Sequence, residues 1–130
     1  MKKTYKGSCH CGAVRFEADI DLAEGTVRCN CSYCAKQRNW LAAVKADDFR
    51  LKAGNPELSE YQFGARKIHH QFCRRCGVRP YSWGVGGTFY AINVACLDDV
   101  DVSELASAPV VYVDGRHDDF KNPPKETRHL

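Results

Sequence analysis

Residues 7–16, GSCHCGAVRF, place two cysteines one residue apart immediately before an alternation of apolar and polar side chains. Over residues 14–19, valine, phenylalanine and alanine alternate with arginine, glutamate and aspartate. A period of two is typical of a β-strand with one buried face. Two thiolates at so short a spacing can turn toward the same metal ion. The stretch therefore predicts a metal-binding turn that leads directly into a strand.

Seven of the eight cysteines fall in three such tight clusters. A secreted disulfide framework of eight cysteines would allow 105 pairings, and no spacing in it would be special. Short spacings between thiolates instead favour zinc. The clusters are Cys9 and Cys11; Cys29, Cys31 and Cys34; and Cys73 and Cys76.

The seven cysteines divide into one site with four ligands and one with three. A structural zinc takes four protein ligands, whereas a catalytic zinc keeps three and leaves a position for water or substrate. The structural site is expected to contain Cys9, Cys11, Cys73 and Cys76. The second, catalytic zinc is expected to be held by Cys29, Cys31 and Cys34. The alternative is that both sites are structural, with Cys96 or a histidine completing the second.

The remaining cysteine and the histidines carry weaker signals. Cys96 lies in an apolar segment and is expected to be buried in the core rather than to bind metal, because free cysteine is commonly buried. His10 lies between two ligands and is expected to point away from the ion. His69 and His70 would face opposite sides of a strand, so that one lines the metal cleft or both are ordinary strand residues.

Outside the clusters, the sequence predicts a mainly β domain over residues 1–120, followed by an extended tail over residues 121–130 that contains two prolines. Short helical turns are expected at residues 32–37, with Ser32 as the cap, around residues 47–48 and at residues 102–106. A glycine-rich hairpin turn is expected before residue 88. Strands are expected at residues 14–19, 41–45, 58–63, 67–72, 88–94 and 110–114.

Composition limits the class of protein. The 130 residues suit one domain, and no apolar run approaches the ~20 residues of a membrane span. No apolar segment follows the N-terminal lysines, so a cytoplasmic protein with reduced thiols is expected. The net charge of +3 is too small to predict nucleic acid as a partner. The oligomeric state cannot be deduced from these features.

Several segments together resemble the glutathione-dependent formaldehyde-activating enzyme family, also called the GFA or CENP-V family. They are residues 7–16, 29–34 (CNCSYC), 72–77 (FCRRCG), 91–98 (AINVACLD) and 113–116 (VDGR). The resemblance extends from residue 5 to about residue 117. It implies a zinc-stapled fold of twisted antiparallel sheets, described as a β-tent, and the same division of the cysteines. It also implies a reactive three-cysteine zinc and a carbon–sulfur lyase activity.

The function predicted from these arguments is a zinc-dependent carbon–sulfur lyase that acts on a thiol adduct of the S-hydroxymethylglutathione type. Its partner would be a small-molecule thiol, with Arg75 or Arg79 binding a substrate carboxylate because arginine suits such a group. Two other hypotheses remain open. One is a non-catalytic, zinc-stabilised binding module, and the other is a thiol or redox sensor that loses zinc on oxidation.

Overall fold

The structure is a computed structural model that describes all residues 1–130. It contains ten β-strands, two short α-helices and six single turns of 3-10 helix. The helices are α1 (Ser32–Gln37) and α2 (Val102–Ser107). The strands are β1 (Lys3–Ser8), β2 (Arg15–Ile20), β3 (Thr26–Cys29), β4 (Leu41–Lys45), β5 (Phe49–Ala53), β6 (Leu58–Tyr61), β7 (Ile68–Cys73), β8 (Tyr81–Gly84), β9 (Phe89–Asn93) and β10 (Val110–Val113).

The strands form two sheets. The smaller sheet has the order β1-β2-β5, and the larger has the order β10-β3-β4-β9-β8-β7-β6. All neighbouring strands are antiparallel except β10 and β3, which are parallel. The predicted mainly β fold with few short helices is therefore confirmed, with one parallel pair in an otherwise antiparallel arrangement.

The main hydrophobic core contains residues of both sheets. On β2, Phe16 is only 1% exposed, and on β9 Ile92 is fully buried. The Phe49 ring of β5 stacks on Tyr90 of β9, with 4.4 Å between the ring centroids. Burying each side chain of this size contributes about 1.5–3 kcal/mol to stability. Gly7 faces Phe16 across the β1–β2 pair, and a β-carbon at Gly7 would overlap the Phe16 ring.

The predicted strands correspond closely to observed ones. The predicted strand at residues 14–19 corresponds to β2, which is shifted by one residue. The predicted strand at residues 41–45 matches β4, and the one at residues 110–114 is one residue longer than β10. The glycine-rich turn joins β8 to β9 through the 3-10 turn Val85–Gly87. The strands that were not predicted are β1, β3, β5 and β8. Of these, β1 buries only Tyr5 and Gly7, so its apolar pattern is weak, and pairing with β2 holds it in the sheet.

Both α-helices are short, and no helix is long and apolar enough to cross a membrane. The prediction that Ser32 caps α1 is wrong. The cap is Cys31, whose sulfur accepts a hydrogen bond from the backbone N–H of Cys34. A thiolate can replace the usual hydroxyl because it is also a hydrogen-bond acceptor near the unpaired N–H groups of the first turn.

Residues 121–130 contain no helix or strand. The last residue, Leu130, is nevertheless buried, and the guanidinium of Arg38 donates a hydrogen bond to its carbonyl oxygen at 3.5 Å. The division into a domain and a tail at residue 120 stays a prediction.

Candidate metal centres

The first cysteine cluster joins two turns from distant parts of the chain. Cys9 and Cys11 lie between β1 and β2, whereas Cys73 ends β7 and Cys76 follows it. The second cysteine of each pair is followed by a glycine with positive φ, Gly12 or Gly77. Such a backbone conformation favours glycine, and it lets the chain turn sharply so that both sulfur atoms of a pair face one point.

The spacing of these sulfur atoms fits a metal ion. The four Sγ atoms all lie within 4.8 Å of one another, and the Cys9–Cys11 and Cys11–Cys73 sulfur distances are both 3.7 Å. A tetrahedral site with bonds of about 2.3 Å places its sulfur atoms about 3.8 Å apart. The four-cysteine centre, defined by Cys9, Cys11, Cys73 and Cys76, is therefore suited to a metal ion and is consistent with zinc.

The second cluster is built from one short segment. Cys29 ends β3, Cys31 caps α1, and Cys34 lies within the first turn of that helix. Their three Sγ atoms also lie within 4.8 Å of one another, and this group is called the three-cysteine centre below. Its sulfur donor set again suits zinc. The group of side chains within this distance of one another contains no further cysteine, histidine or carboxylate, so three side chains could bind a metal ion here.

Each sulfur of the three-cysteine centre accepts a hydrogen bond from an N–H group. The backbone N–H of Cys31 donates to Cys29 at 3.4 Å, and that of Cys34 donates to Cys31 at 3.3 Å. The side-chain amide of Asn39 donates to Cys34, also at 3.3 Å. Hydrogen bonds to sulfur stabilise the thiolate form, which is the form that binds metal. The centre is thus prepared for three negatively charged ligands.

The thiols of this centre also act on one another. Hydrogen bonds from Cys29 and Cys34 lower the pKa of the Cys31 thiol well below its usual range. The same hydrogen bonds have the opposite effect on the two neighbours. The hydrogen bond with Cys31 raises the pKa of Cys29, and those with Cys29 and Cys31 raise the pKa of Cys34. Without a metal ion, one thiolate is therefore stabilised by two neighbouring thiols. Zinc would hold all three as thiolates, because a bound cation favours deprotonation.

A chain of buried polar side chains extends from Cys34 into the larger sheet. Asn39 accepts a hydrogen bond from the guanidinium of Arg79. Arg79 also donates to Ser82 at 2.9 Å, and Ser82 lies 3.2 Å from Nδ1 of His70. Burial, and then the charge of Arg79, lowers the pKa of His70 to about 4, so His70 is neutral at pH 7.

Aromatic rings lie next to this chain. The ring of Tyr33, between Cys31 and Cys34 in sequence, lies 4.1 Å from His70 and 5.7 Å from both Tyr61 and Phe63. Tyr61 is half exposed. The other histidine of the pair, His69, stacks on Trp83 at 3.7 Å instead. The two histidines thus face opposite sides of β7, and His70 is the one on the side of the three-cysteine centre.

The residues that follow β10 pack against the three-cysteine centre. Asn30 donates a hydrogen bond to Asp114 at 2.8 Å and accepts one from the backbone N–H of Arg116 at 3.0 Å. Between them lies Gly115, where a β-carbon would come within 2.5 Å of the Cys29 sulfur. Only glycine therefore permits this close approach.

The remaining predicted residues are separated by the fold. Cys96 is buried, and its thiol donates to the carbonyl oxygen of Arg79 at 3.8 Å. Burial raises the pKa of Cys96 to about 11, so this thiol stays protonated. Arg75 lies on the surface and pairs with Glu57 at 3.0 Å. Arg79 is buried and adjoins the three-cysteine centre through Asn39. A role in carboxylate binding stays a prediction for both arginines.

Sequence reasoning did not identify Asn39, Ser82 or Gly115. Asn39 is separated from Cys34 only by the end of α1, and Arg38, in the left-handed conformation, directs the chain there. A short polar residue just after a helix that carries ligands is a usable sequence signal. Ser82 reaches the site through sheet pairing, so its position in the sequence gives no comparable signal, whereas Gly115 lies in the segment 113–116 that resembles the family but had no role assigned to it.

Comparison with known proteins identifies a family and a similar structure. Residues 4–114 match the sequence profile of the family described as glutathione-dependent formaldehyde-activating enzyme. A crystal structure of a Rhodobacter sphaeroides protein, a structural genomics target, is similar at 35% sequence identity and a TM-score of 0.71. The similarity covers 82% of this chain and 99% of that one. Because the family match includes all seven clustered cysteines and most of the fold, the chain belongs to the glutathione-dependent formaldehyde-activating enzyme family.

Proposed function

We propose that the protein is a zinc-dependent carbon–sulfur lyase that forms or cleaves a thiol adduct of a small aldehyde, with glutathione as the thiol and formaldehyde as the aldehyde. The observation that carries the proposal is the three-cysteine centre, whose three sulfur atoms converge with no fourth side-chain ligand. The description of the family points to the same two substrates.

The reaction balances without an added reagent. In the forming direction, the thiol sulfur bonds to the carbonyl carbon, the carbon–oxygen π bond breaks, and the thiol proton moves to the oxygen. A zinc ion held by Cys29, Cys31 and Cys34 would supply Lewis-acid chemistry that lowers the pKa of a thiol at neutral pH.

Two groups of residues around the three-cysteine centre support this role: the hydrogen-bond donors to its sulfur atoms and the aromatic rings around Tyr61. The N–H donors to Cys29, Cys31 and Cys34 keep the ligands oriented, and Asn39 fixes the last of them. The half-exposed Tyr61 ring and its aromatic neighbours form an apolar wall beside the centre, which limits water next to a bound adduct. We therefore assign ligand positioning to the polar chain and partial exclusion of water to the aromatic cluster.

The test is the rate of adduct exchange in a mixture of glutathione and ¹³C-labelled formaldehyde, measured by NMR exchange spectroscopy. The zinc-loaded protein should accelerate exchange above the spontaneous rate. Cys31→Ser should remove the acceleration, whereas Cys96→Ser, a change at a buried cysteine outside both centres, should keep it. Exchange at the spontaneous rate with the zinc-loaded protein would contradict the proposal.

The other two hypotheses give different results in the same samples. A redox sensor would release zinc from the three-cysteine centre on mild oxidation and recover it on reduction, without accelerating exchange. A binding module would show neither behaviour. Zinc per chain, measured before and after oxidation, separates these two alternatives.

A further inference from the structure

The buried guanidinium of Arg79 has no acidic partner. Arg79 is 5% exposed, and it takes part in none of the ion pairs of the structure. A buried charge is costly unless an opposite charge compensates it. Its hydrogen-bond acceptors, Ser82 and Asn39, are both neutral. A group that compensates the charge of Arg79 would therefore lie beyond these neutral acceptors.

The three-cysteine centre lies at the other end of one of those hydrogen bonds. The guanidinium donates to Oδ1 of Asn39, and Nδ2 of the same amide donates to the sulfur of Cys34 at 3.3 Å. The backbone N–H of Asn39 also donates to the Cys34 carbonyl at 3.2 Å, which holds the residue in place. A positive charge at the oxygen end of an amide strengthens the hydrogen bond donated by its nitrogen end.

The charges of the centre match this arrangement. Three thiolates carry three negative charges, and a divalent ion such as zinc leaves a net charge of −1. The single positive charge of Arg79 brings the total to zero. The ring of Tyr33 lies 5.8 Å from the guanidinium carbon, and an aromatic face is also compatible with a cation.

We propose that Arg79 is the buried counter-charge of the three-cysteine metal centre and that Asn39 is the positioning residue through which it acts on Cys34. The inference goes beyond the proposed function, because it rests on the fit of the cysteines to a metal ion and not on the reaction. Arg79 lies in the segment between β7 and β8, three residues after Cys76.

This role differs from the binding of a substrate carboxylate. One terminal nitrogen of Arg79 donates to Ser82 and the other to Asn39. The Arg79 Nε–H has no hydrogen-bond partner, but the residue is only 5% exposed, so a substrate carboxylate would have to reach it through a site that is almost closed to solvent. The two roles also predict different phenotypes, since one concerns zinc and the other concerns the thiol substrate.

The test measures zinc affinity in full-length, reduced protein by competition with a chromophoric chelator, in the absence of any substrate. The ion lost first is assigned to the three-cysteine centre by comparison with Cys31→Ser. Arg79→Met should weaken zinc at this centre by about 10–100-fold, the range typical for loss of a residue that supports a metal ligand. Arg79→Lys keeps the charge without the paired hydrogen bonds and should weaken it less.

Arg75→Met is the matched control, because it removes an exposed arginine from the same turn and should leave this affinity unchanged. Asn39→Asp tests the connection independently of Arg79. Its carboxylate would neutralise the guanidinium and place a negative charge beside Cys34, so zinc binding should weaken. This variant decides the question if Arg79→Met does not fold, as judged by circular dichroism.

Wild-type zinc affinity in folded Arg79→Met, or in Asn39→Asp, would overturn the proposal. So would an Arg79→Met protein that keeps its zinc and loses affinity for glutathione in calorimetry, because that result assigns Arg79 to the substrate. Failure of adduct exchange with intact zinc affinities would count against the proposed function alone.

Discussion

The two metal centres use the same ligand atom but connect different amounts of chain. In the four-cysteine centre, Cys11 and Cys73 are 62 residues apart in sequence. In the three-cysteine centre, all ligands lie between residues 29 and 34. A metal ion that joins distant segments restricts the unfolded chain strongly, whereas one bound within a single turn restricts it only locally. From ligand spacing we therefore expect a metal ion in the four-cysteine centre to stabilise the fold more than one in the three-cysteine centre.

The arginines near the two centres differ in their exposure to solvent. Arg74 and Arg75 lie between Cys73 and Cys76 of the four-cysteine centre, are more than half exposed, and both form ion pairs with Glu57. Arg79, from the same turn, is buried and adjoins the other centre. Water screens the exposed pairs, so they contribute little, but a buried charge interacts strongly with its surroundings.

The largest effect is expected for Cys76→Ser. Loss of this ligand opens the four-cysteine centre, and structural zinc contributes on the order of 10 kcal/mol to folding in zinc-finger peptides. The variant should be insoluble or largely unfolded, as measured by soluble yield and circular dichroism. Cys96→Ser, at a buried cysteine outside both centres, should fold. A well-folded Cys76→Ser protein would remove the distinction between the two centres.

A smaller effect is expected for Cys31→Ser. The protein should stay folded and contain about one zinc fewer per chain, because the remaining centre still joins β1–β2 to β7–β8. Metal analysis together with circular dichroism tests this. If the variant unfolds as severely as Cys76→Ser, the three-cysteine centre is structural and the proposed reaction loses its basis.

Gly115→Ala should affect the three-cysteine centre without removing a ligand. The new β-carbon would lie 2.5 Å from the Cys29 sulfur and 3.3 Å from the Cys31 β-carbon, so the end of β10 must move away. We expect reduced zinc occupancy at this centre in a folded protein. The control is Gly86→Ala, where a β-carbon meets no neighbour and the φ of +64° adds backbone strain only within the turn between β8 and β9. Equal zinc content in both variants would show that the close approach of Gly115 is not needed.

The smallest effect is expected for Glu57→Gln. Hydrogen bonds first from Arg74 and then from Arg75 lower the pKa of Glu57, so its carboxylate is ionised at neutral pH. The variant should lower the melting temperature slightly at low salt, and the difference should shrink at high salt because exposed charges are screened. Thermal unfolding at two salt concentrations measures it. A large, salt-independent loss would mean that these surface pairs stabilise the four-cysteine turn directly.

Much of the molecule could be predicted from sequence because its strongest signals are local. The spacing of the cysteines indicated both ligand sets, and the alternation over residues 14–19 indicated β2, since spacing and periodicity depend on near neighbours. The weak strands were missed for the same reason. β3 has only four residues, too few for a clear periodic pattern, and pairing with β10 and β4 holds it in the sheet.

The sequence by itself determined which cysteines lie together and that the fold is mainly β. Only the tertiary structure decided what surrounds the three-cysteine centre. Arg75 and Arg79 differ little as sequence signals, yet the turn after β7 exposes one and buries the other. Asn39 reaches Cys34 just after α1, and Gly115 reaches Cys29 through the parallel β10–β3 pair. Burial and contact between distant segments arise from packing of the whole chain, and no local pattern encodes them.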